Sequence, residues 1–391
     1  MARMVLNETS YFGAGCRKEA ATELKKRGVK KAFVVSDADL VKFGVVKMVT
    51  DVLDDAGIGF TIFSDVKANP TIANVKAGLA AFKAYSPDVI IAIGGGSCID
   101  TAKAIGIIIN NPEFSDVRSL EGVANTKNKA FPTLCFATTS GTAAEVTINY
   151  VITDEEAGRK LVCVDPNDIP MIAFNDAEMM MSMPKGLTAS TGMDALTHAI
   201  EGYITPGANP ISDLLCWNSI KFISDNLRAA VKDGSDAKAR EGMAYGSYVA
   251  GMAFSNVGLG IVHSMAHPLG ARFDVPHGVA NALLLPYVME YNKSAALKKF
   301  GDIARAMGVD ISGMTEEEAA DAAIEAVRKL SKDINIPQTI KELKKRGTDE
   351  VLIKKEDLVQ LSKDAFIDPC TGGNPRKTSV EEILELYNIA Y

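Results

Sequence analysis

DVIIAIGGGSCIDTAK (residues 88–103) runs from an almost wholly apolar segment into three glycines and then into a helical pattern. Val89 to Ile93 offer no polar face, as a strand buried on both sides of a parallel sheet requires. The glycines let the backbone approach a ligand without Cβ obstruction. A helix opening after them aims N–H groups and the positive end of its dipole at the loop, which suits a phosphate. The same stretch also reads as a plain tight turn with Ser97 as helix cap, and a glycine loop alone does not separate the two readings.

The pattern repeats on either side. KKAFVVSD (30–37) and FTIFSDV (60–66) read as strands, followed by helical stretches at 44–56 and 71–85. FPTLCFATTSGT (131–142) is again an apolar strand entering a small polar loop. Strands alternating with helices predict a parallel sheet with right-handed crossovers, a Rossmann-like α/β domain. NYVITDEEAGRKLVCVDP (149–166) reads differently, as a β-hairpin turning at DEEAGRK. After Asp176 strand character fades and helical periodicity dominates, with long candidates at 209–230, 236–256, 295–307 and 315–333. The expected organisation is an α/β dinucleotide-binding domain over 1–182 and an all-α domain over 183–391. KELKKRG (341–347) is read as a solvated helix face.

This is not the usual dinucleotide fingerprint, which places an acidic residue about 20 residues after the glycines. Here the candidate acid, Asp37, precedes them, at the end of an earlier strand. A carboxylate there can bond a ribose hydroxyl and repel a 2′-phosphate, favouring NAD over NADP; it can equally be a strand-end turn or helix cap. In ATTSGTAAEVT (137–147), Thr138, Thr139, Ser140 and Thr142 are candidate ligand contacts or a hydroxyl-rich cap.

The chain is 391 residues long, with 47% hydrophobic and 23% charged residues and a formal charge of −7. That length predicts two domains, and the acidic balance argues against nucleic acid as partner. No apolar run is long enough to span a bilayer, and the N-terminus lacks a signal-peptide layout. The six scattered cysteines read as free thiols in a reducing cytoplasm.

All four histidines fall between residues 198 and 277. Asp194 and His198 are four apart, as are His263 and His267, a spacing that puts each pair on one helix face. His277 lies in DVPHGVAN, which reads as a turn. Asp194, His198, His263 and His277 can together supply three nitrogens and one oxygen to a divalent ion. Such a set without thiolate suits Fe²⁺, Zn²⁺ or Mn²⁺ alike. A metal beside a nicotinamide suggests a Lewis acid that polarises a carbonyl oxygen.

Taken together, GGGSCIDTAK, TTSGTAAEV, TGMDALTHAIEGY and GIVHSMAHPLGARFDVPHGVANALLLP resemble the iron-dependent (group III) alcohol dehydrogenases, from LNETSYFG near the start to CTGGNPR at 370–376. EVTINYVITDEE, FSNVGLG and NNPEFSDVRSLEG resemble the branch that interconverts lactaldehyde and 1,2-propanediol. The resemblance implies the two-domain dehydroquinate synthase-like architecture with the active site in the cleft between. It implies metal ligation by Asp194, His198, His263 and His277, a proton relay at His267, and a catalytic role for His267 and His277. It places the pyrophosphate on Gly95, Gly96 and Ser97, and other cofactor contacts on Asp37, Asn69, Thr138, Thr139, Thr142, Asn149 and Lys160. The expected cofactors are NAD and Fe²⁺, with Zn²⁺ as alternative. The expected partners are a small aldehyde or alcohol and a second copy of the chain, exchanging a strand near Met4–Leu6. The competing readings are a zinc polyol dehydrogenase of the glycerol type and a non-catalytic NAD- or metal-binding protein. Cys98, where the family often has Pro, reads as a space-filler.

Overall fold

The computed structural model describes residues 3–345 and 347–391. They form two compact units, 3–183 and 184–391.

The first unit holds nine strands: β1 (Thr9–Phe12), β2 (Lys31–Val35), β3 (Gly59–Phe63), β4 (Val89–Gly94), β5 (Gly122–Val123), β6 (Thr133–Ala137), β7 (Asn149–Asp154), β8 (Arg159–Val164) and β9 (Ile172–Asn175). Six form an all-parallel sheet in the order β1-β9-β6-β4-β2-β3. Its helices are α1 (Ala20–Lys26), α2 (Ala38–Lys42), α3 (Lys47–Asp55), α4 (Ile72–Tyr85) and α5 (Gly96–Asn110). The apolar run that opens the sequence reading is β4, near the middle of this sheet. Along it Ile90 and Ala92 join one core with Phe33, Val35, Val75 and Ile105. Val89, Ile91 and Ile93 join the other, with Ala32, Val34, Val49 and Leu53. Both faces are covered, so alternation of polar and apolar residues has no use here. The predicted hairpin forms as antiparallel β7 and β8, with β5 at the edge of β8.

Several details differ from the sequence reading. The helix expected at 44–56 is α3, Lys47–Asp55, and a separate short helix, α2, precedes it, with Gly44 at φ +77° between them. β1 and β9 are four-residue strands without a periodic signal; they pair with each other, and Tyr11, Phe174 and Phe136 stack in sequence across them. KELKKRG is not a helix face: it leaves a short 3-10 turn at Ile340–Glu342 for a bridge between Lys344 and Val351, and Arg346 lies outside the described residues. Met4–Leu6 carries no strand in the protomer.

The second unit is helical: α6 (Lys185–Ile204), α7 (Pro210–Lys232), α8 (Ala237–Val257), α9 (Ile261–Phe273), α10 (His277–Asn292), α11 (Leu297–Ala306), α12 (Glu316–Asp333), α13 (Leu358–Phe366) and α14 (Val380–Ala390). This α/β unit followed by an all-α unit is the architecture the sequence predicts. Among the described residues no single helix is long and apolar enough to cross a membrane.

Candidate metal centre and cofactor loop

Three helices of the second unit converge on the histidines. Asp194 and His198 sit one turn apart on α6, and both are buried. His263 and His267 sit one turn apart on α9, also buried. The segment around His277 is not the open turn expected from DVPHGVAN. Asp274 caps α9 in the left-handed region at φ 54°, a conformation Asp tolerates better than most residues, and Pro276 starts a new helix at once. His277 is the first residue of α10, which fixes its direction. One ligand atom each from Asp194, His198, His263 and His277 lies within 4.8 Å of the others. Three imidazoles and a carboxylate at that separation fit the donor chemistry of Fe²⁺ or Zn²⁺.

The surroundings hold these groups in binding form. His263 Nδ1 lies 2.5 Å from Glu201 Oε2, and Glu201 Oε1 accepts the Val262 N–H at 2.7 Å. Burial pushes the His263 imidazole down to about 3 and the Glu201 carboxyl up to about 7. His263 is therefore neutral, with Nδ1–H donated to Glu201 and the Nε2 lone pair facing Asn281 Nδ2 at 3.1 Å; Asp194 Oδ1 lies 4.0 Å from that Nε2. His277 Nε2 is 3.6 Å from the same oxygen. Glu201 falls one turn beyond His198 on the face of α6 that already carries Asp194 and His198. That i,i+3 spacing from His198 is a signal present in the sequence. Asn281, one turn after His277, is like Glu201 absent from the sequence reading; it donates through Nδ2 to Asp194 Oδ1 at 2.7 Å.

His267 stands apart from this set. Its Nδ1 lies 2.7 Å from Asp368 Oδ2, while Asp368 Oδ1 accepts the Cys370 N–H at 2.9 Å. Burial opposes charge on Asp368, yet the adjacent His267 and these hydrogen bonds hold it below the usual carboxylate range. The His267 ring stacks against that of His277, with centroids 5.5 Å apart. Nδ1 thus faces Asp368, and Nε2 is the ring nitrogen turned away from it. Asp368 is 101 residues away, and no local pattern announces it.

In the first unit the glycine loop lies where open α/β sheets bind ligands. The chain runs from β2 outward to β3 and then back to β4 on the other side of β2, so the order reverses between β2 and β4. Asp37 follows the end of β2, and Gly95 to Ser97 follow the end of β4. Gly95 is the N-cap of α5, two residues earlier than the alternative cap at Ser97. Helix geometry leaves the first N–H groups of α5 without intrahelical acceptors. A Cβ on Gly96 would stand 2.9 Å from Thr142 Cγ2, and one on Gly95 3.1 Å from Thr139 Oγ1. Both glycines therefore reflect close packing of two loops. Ser97 Oγ donates to the Ala68 carbonyl, and Lys160 Nζ donates to Asn69 Oδ1 at 3.2 Å, bringing the 68–69 segment and β8 to the same place. Thr138 follows β6 directly, and Asn149 begins β7.

Asp37 does cap α2: its Oδ1 accepts the Leu40 N–H at 2.8 Å. Its Oδ2 faces Cys98 Sγ at 3.6 Å. Burial, before the Asp37 charge, holds the Cys98 thiol protonated, and Cys98 fills the space beneath Gly94. All six cysteines are free thiols.

The model of the iron-containing alcohol dehydrogenases matches residues 7–177, and that of their C-terminal region matches residues 188–391. The chain belongs to the iron-containing alcohol dehydrogenases. It is 55% identical to the lactaldehyde reductase of Escherichia coli (strain K12) over 389 residues, covering 100% of this chain and 99% of the relative. It is 41% identical to the 1,3-propanediol dehydrogenase of Klebsiella pneumoniae over 384 residues, covering 98% and 97% of the two chains. A crystal structure of a 1,3-propanediol oxidoreductase superposes with a TM-score of 0.95 at 41% identity, and an alcohol dehydrogenase from Oenococcus oeni with 0.95 at 39%; both matches cover each chain fully. As an iron-containing alcohol dehydrogenase this protein is a metal- and NAD-dependent oxidoreductase of alcohols and aldehydes.

Proposed function

We propose that this enzyme interconverts lactaldehyde and 1,2-propanediol with NAD(H), as a cytoplasmic homodimer, with Asp194, His198, His263 and His277 as ligands of a catalytic Fe²⁺. The observation that carries the metal assignment is the convergence of one oxygen and three nitrogen donors within 4.8 Å, with His263 kept neutral by burial and its Nδ1 engaged by Glu201. The substrate reading rests on 55% identity along the whole chain to a lactaldehyde reductase. The boundary between cofactor-binding and metal-binding domains is placed at 182/183.

Asp194, His198, His263 and His277 would hold a divalent ion, which would supply Lewis acidity toward a substrate oxygen, and bound NADH would supply hydride. The protein's own residues do the rest. Gly95, Gly96 and Ser97 offer the N-terminus of α5 to the pyrophosphate. Asp37 orients the adenosine ribose and disfavours a 2′-phosphate. Thr138, Thr139, Thr142, Asn149, Asn69 and Lys160 complete the cofactor contacts. Carbonyl reduction also consumes a proton, and His267, locked by Asp368 in the Nδ1–H form, exchanges it at Nε2. His277 serves both as ligand and as the ring against which His267 stacks.

The test is anaerobic reconstitution of metal-free protein with Fe²⁺ or Zn²⁺, followed by NADH oxidation with lactaldehyde, 3-hydroxypropanal and butanal, and NAD⁺ reduction with glycerol. Highest kcat/KM on lactaldehyde with Fe²⁺ is expected. A preference for 3-hydroxypropanal, or for glycerol with Zn²⁺, overturns the substrate reading. In the same assay His267→Ala is expected to retain metal and to change the pH profile of turnover; metal-free His267→Ala protein refutes its role.

A further inference from the structure

The ligand set explains three helices but not Asn281. This side chain is fully buried on α10. Its Nδ2 donates to Asp194 Oδ1 at 2.7 Å and lies 3.1 Å from both His263 Nε2 and His277 Nε2. One amide group thus faces three of the four candidate donors, which arrive from α6, α9 and α10. Its Oδ1 has no hydrogen-bond partner among the described residues. Buried amides usually satisfy both ends, so the nitrogen end is the one the site has been shaped around.

An amide NH₂ carries partial positive charge and two hydrogens. Facing a carboxylate and two imidazole lone pairs, it meets the electrostatic demand that a cation meets. Zinc and its neighbours bind such donors at about 2.0–2.2 Å. An ion held by Asp194, His263 and His277 would take the same donor atoms that these N–H groups face, and N–H hydrogens turned toward a cation would be repelled by it.

We propose that Asn281 is a built-in stand-in for the metal: it holds Asp194, His263 and His277 together in the metal-free protein and gives up those contacts when the ion binds. The proposal rests on the ligand assignment above and adds a sign to it. A residue that only orients ligands costs about 10- to 100-fold in metal affinity when removed. A stand-in does the reverse, since it stabilises the metal-free state alone. Without it the Asp194 carboxylate stays buried with no donor until an ion arrives.

Zn²⁺ affinity of metal-free protein, measured by competition with a chromophoric chelator, and thermal melting with and without Zn²⁺ test this in wild type, Asn281→Ala, Asn281→Leu and His263→Ala. Both Asn281 variants are expected to melt earlier than wild type without metal and to bind Zn²⁺ at least tenfold more tightly. Unchanged or weaker binding overturns the proposal. If Asn281→Ala does not fold without metal, refolding in Zn²⁺ decides: rescue supports the stand-in role, and failure with metal present overturns it. His263→Ala is expected to bind Zn²⁺ much more weakly than wild type. Unchanged affinity in that variant defeats the ligand assignment itself, whatever Asn281 does.

Discussion

Glu201→Gln is expected to weaken metal binding by about 10- to 100-fold without unfolding the protein. The carboxylate accepts two hydrogen bonds, from Val262 N–H at 2.7 Å and from His263 Nδ1–H at 2.5 Å. Glutamine has one acceptor oxygen. If that oxygen keeps the Val262 N–H, the NH₂ group faces His263 Nδ1, which must then accept, and the imidazole proton moves to Nε2. That is the atom on the side of Asp194 and His277, and a protonated Nε2 has no lone pair for a metal. Losing a charge-assisted bond costs about 1.5–3 kcal/mol, which at about 1.4 kcal/mol per decade is one to two orders of magnitude in affinity. Chelator competition at fixed pH measures it. Circular dichroism melting checks that the fold survives, and Glu201→Asp, which keeps both acceptors, is expected to bind better than Glu201→Gln. Zn²⁺ affinity within twofold of wild type in well-folded Glu201→Gln would refute the tautomer reasoning.

Gly96→Ala is expected to raise the KM for NADH at least tenfold with metal content unchanged, because the new Cβ would lie 2.9 Å from Thr142 Cγ2; an unaltered KM would show that the two loops yield freely. Asp37→Ser keeps an oxygen to cap α2 but removes the charge, so the ratio of NADPH to NADH kcat/KM is expected to rise tenfold or more with little change in Tm; an unchanged ratio assigns Asp37 to capping alone. Glu145 is buried, and burial lifts its carboxyl from 4.5 to about 7. The folded state thus prefers the proton, and stability is lost as pH rises from the unfolded toward the folded value, by about 3 kcal/mol in full. Glu145→Gln is expected to raise Tm little at pH 5 and clearly at pH 8; the same gain at both would exclude ionisation as the cause.

Legibility differs between the two units for physical reasons. β4 and the loop after it are plain in the sequence because a strand covered on both faces must be apolar throughout. Gly95 and Gly96 also stand out, although only the structure shows that Thr139 and Thr142 are what demand them. The i,i+4 pairs Asp194/His198 and His263/His267 are visible because helix geometry converts spacing into a shared face. β1 and β9 are not visible: four residues hold less than two periods of a strand, and their pairing spans more than 160 positions. His277 misled because proline and glycine around it signal a turn, whereas Pro276 here opens a helix, for which its fixed φ is equally suited.

What the chain determines locally is which groups are available: a glycine loop on a strand end, two helical pairs with metal-donor chemistry, and six thiols outside any disulfide. What tertiary structure alone decides is the electrostatic state of those groups. Glu201, Asn281 and Asp368 are ordinary polar residues in the sequence, and each acquires its part only by lying within 2.5–2.7 Å of a specific partner from another segment, the first two fully buried. Burial and partner distance set whether a histidine is neutral, which nitrogen keeps its proton and where its lone pair points, and neither is a property of neighbouring letters.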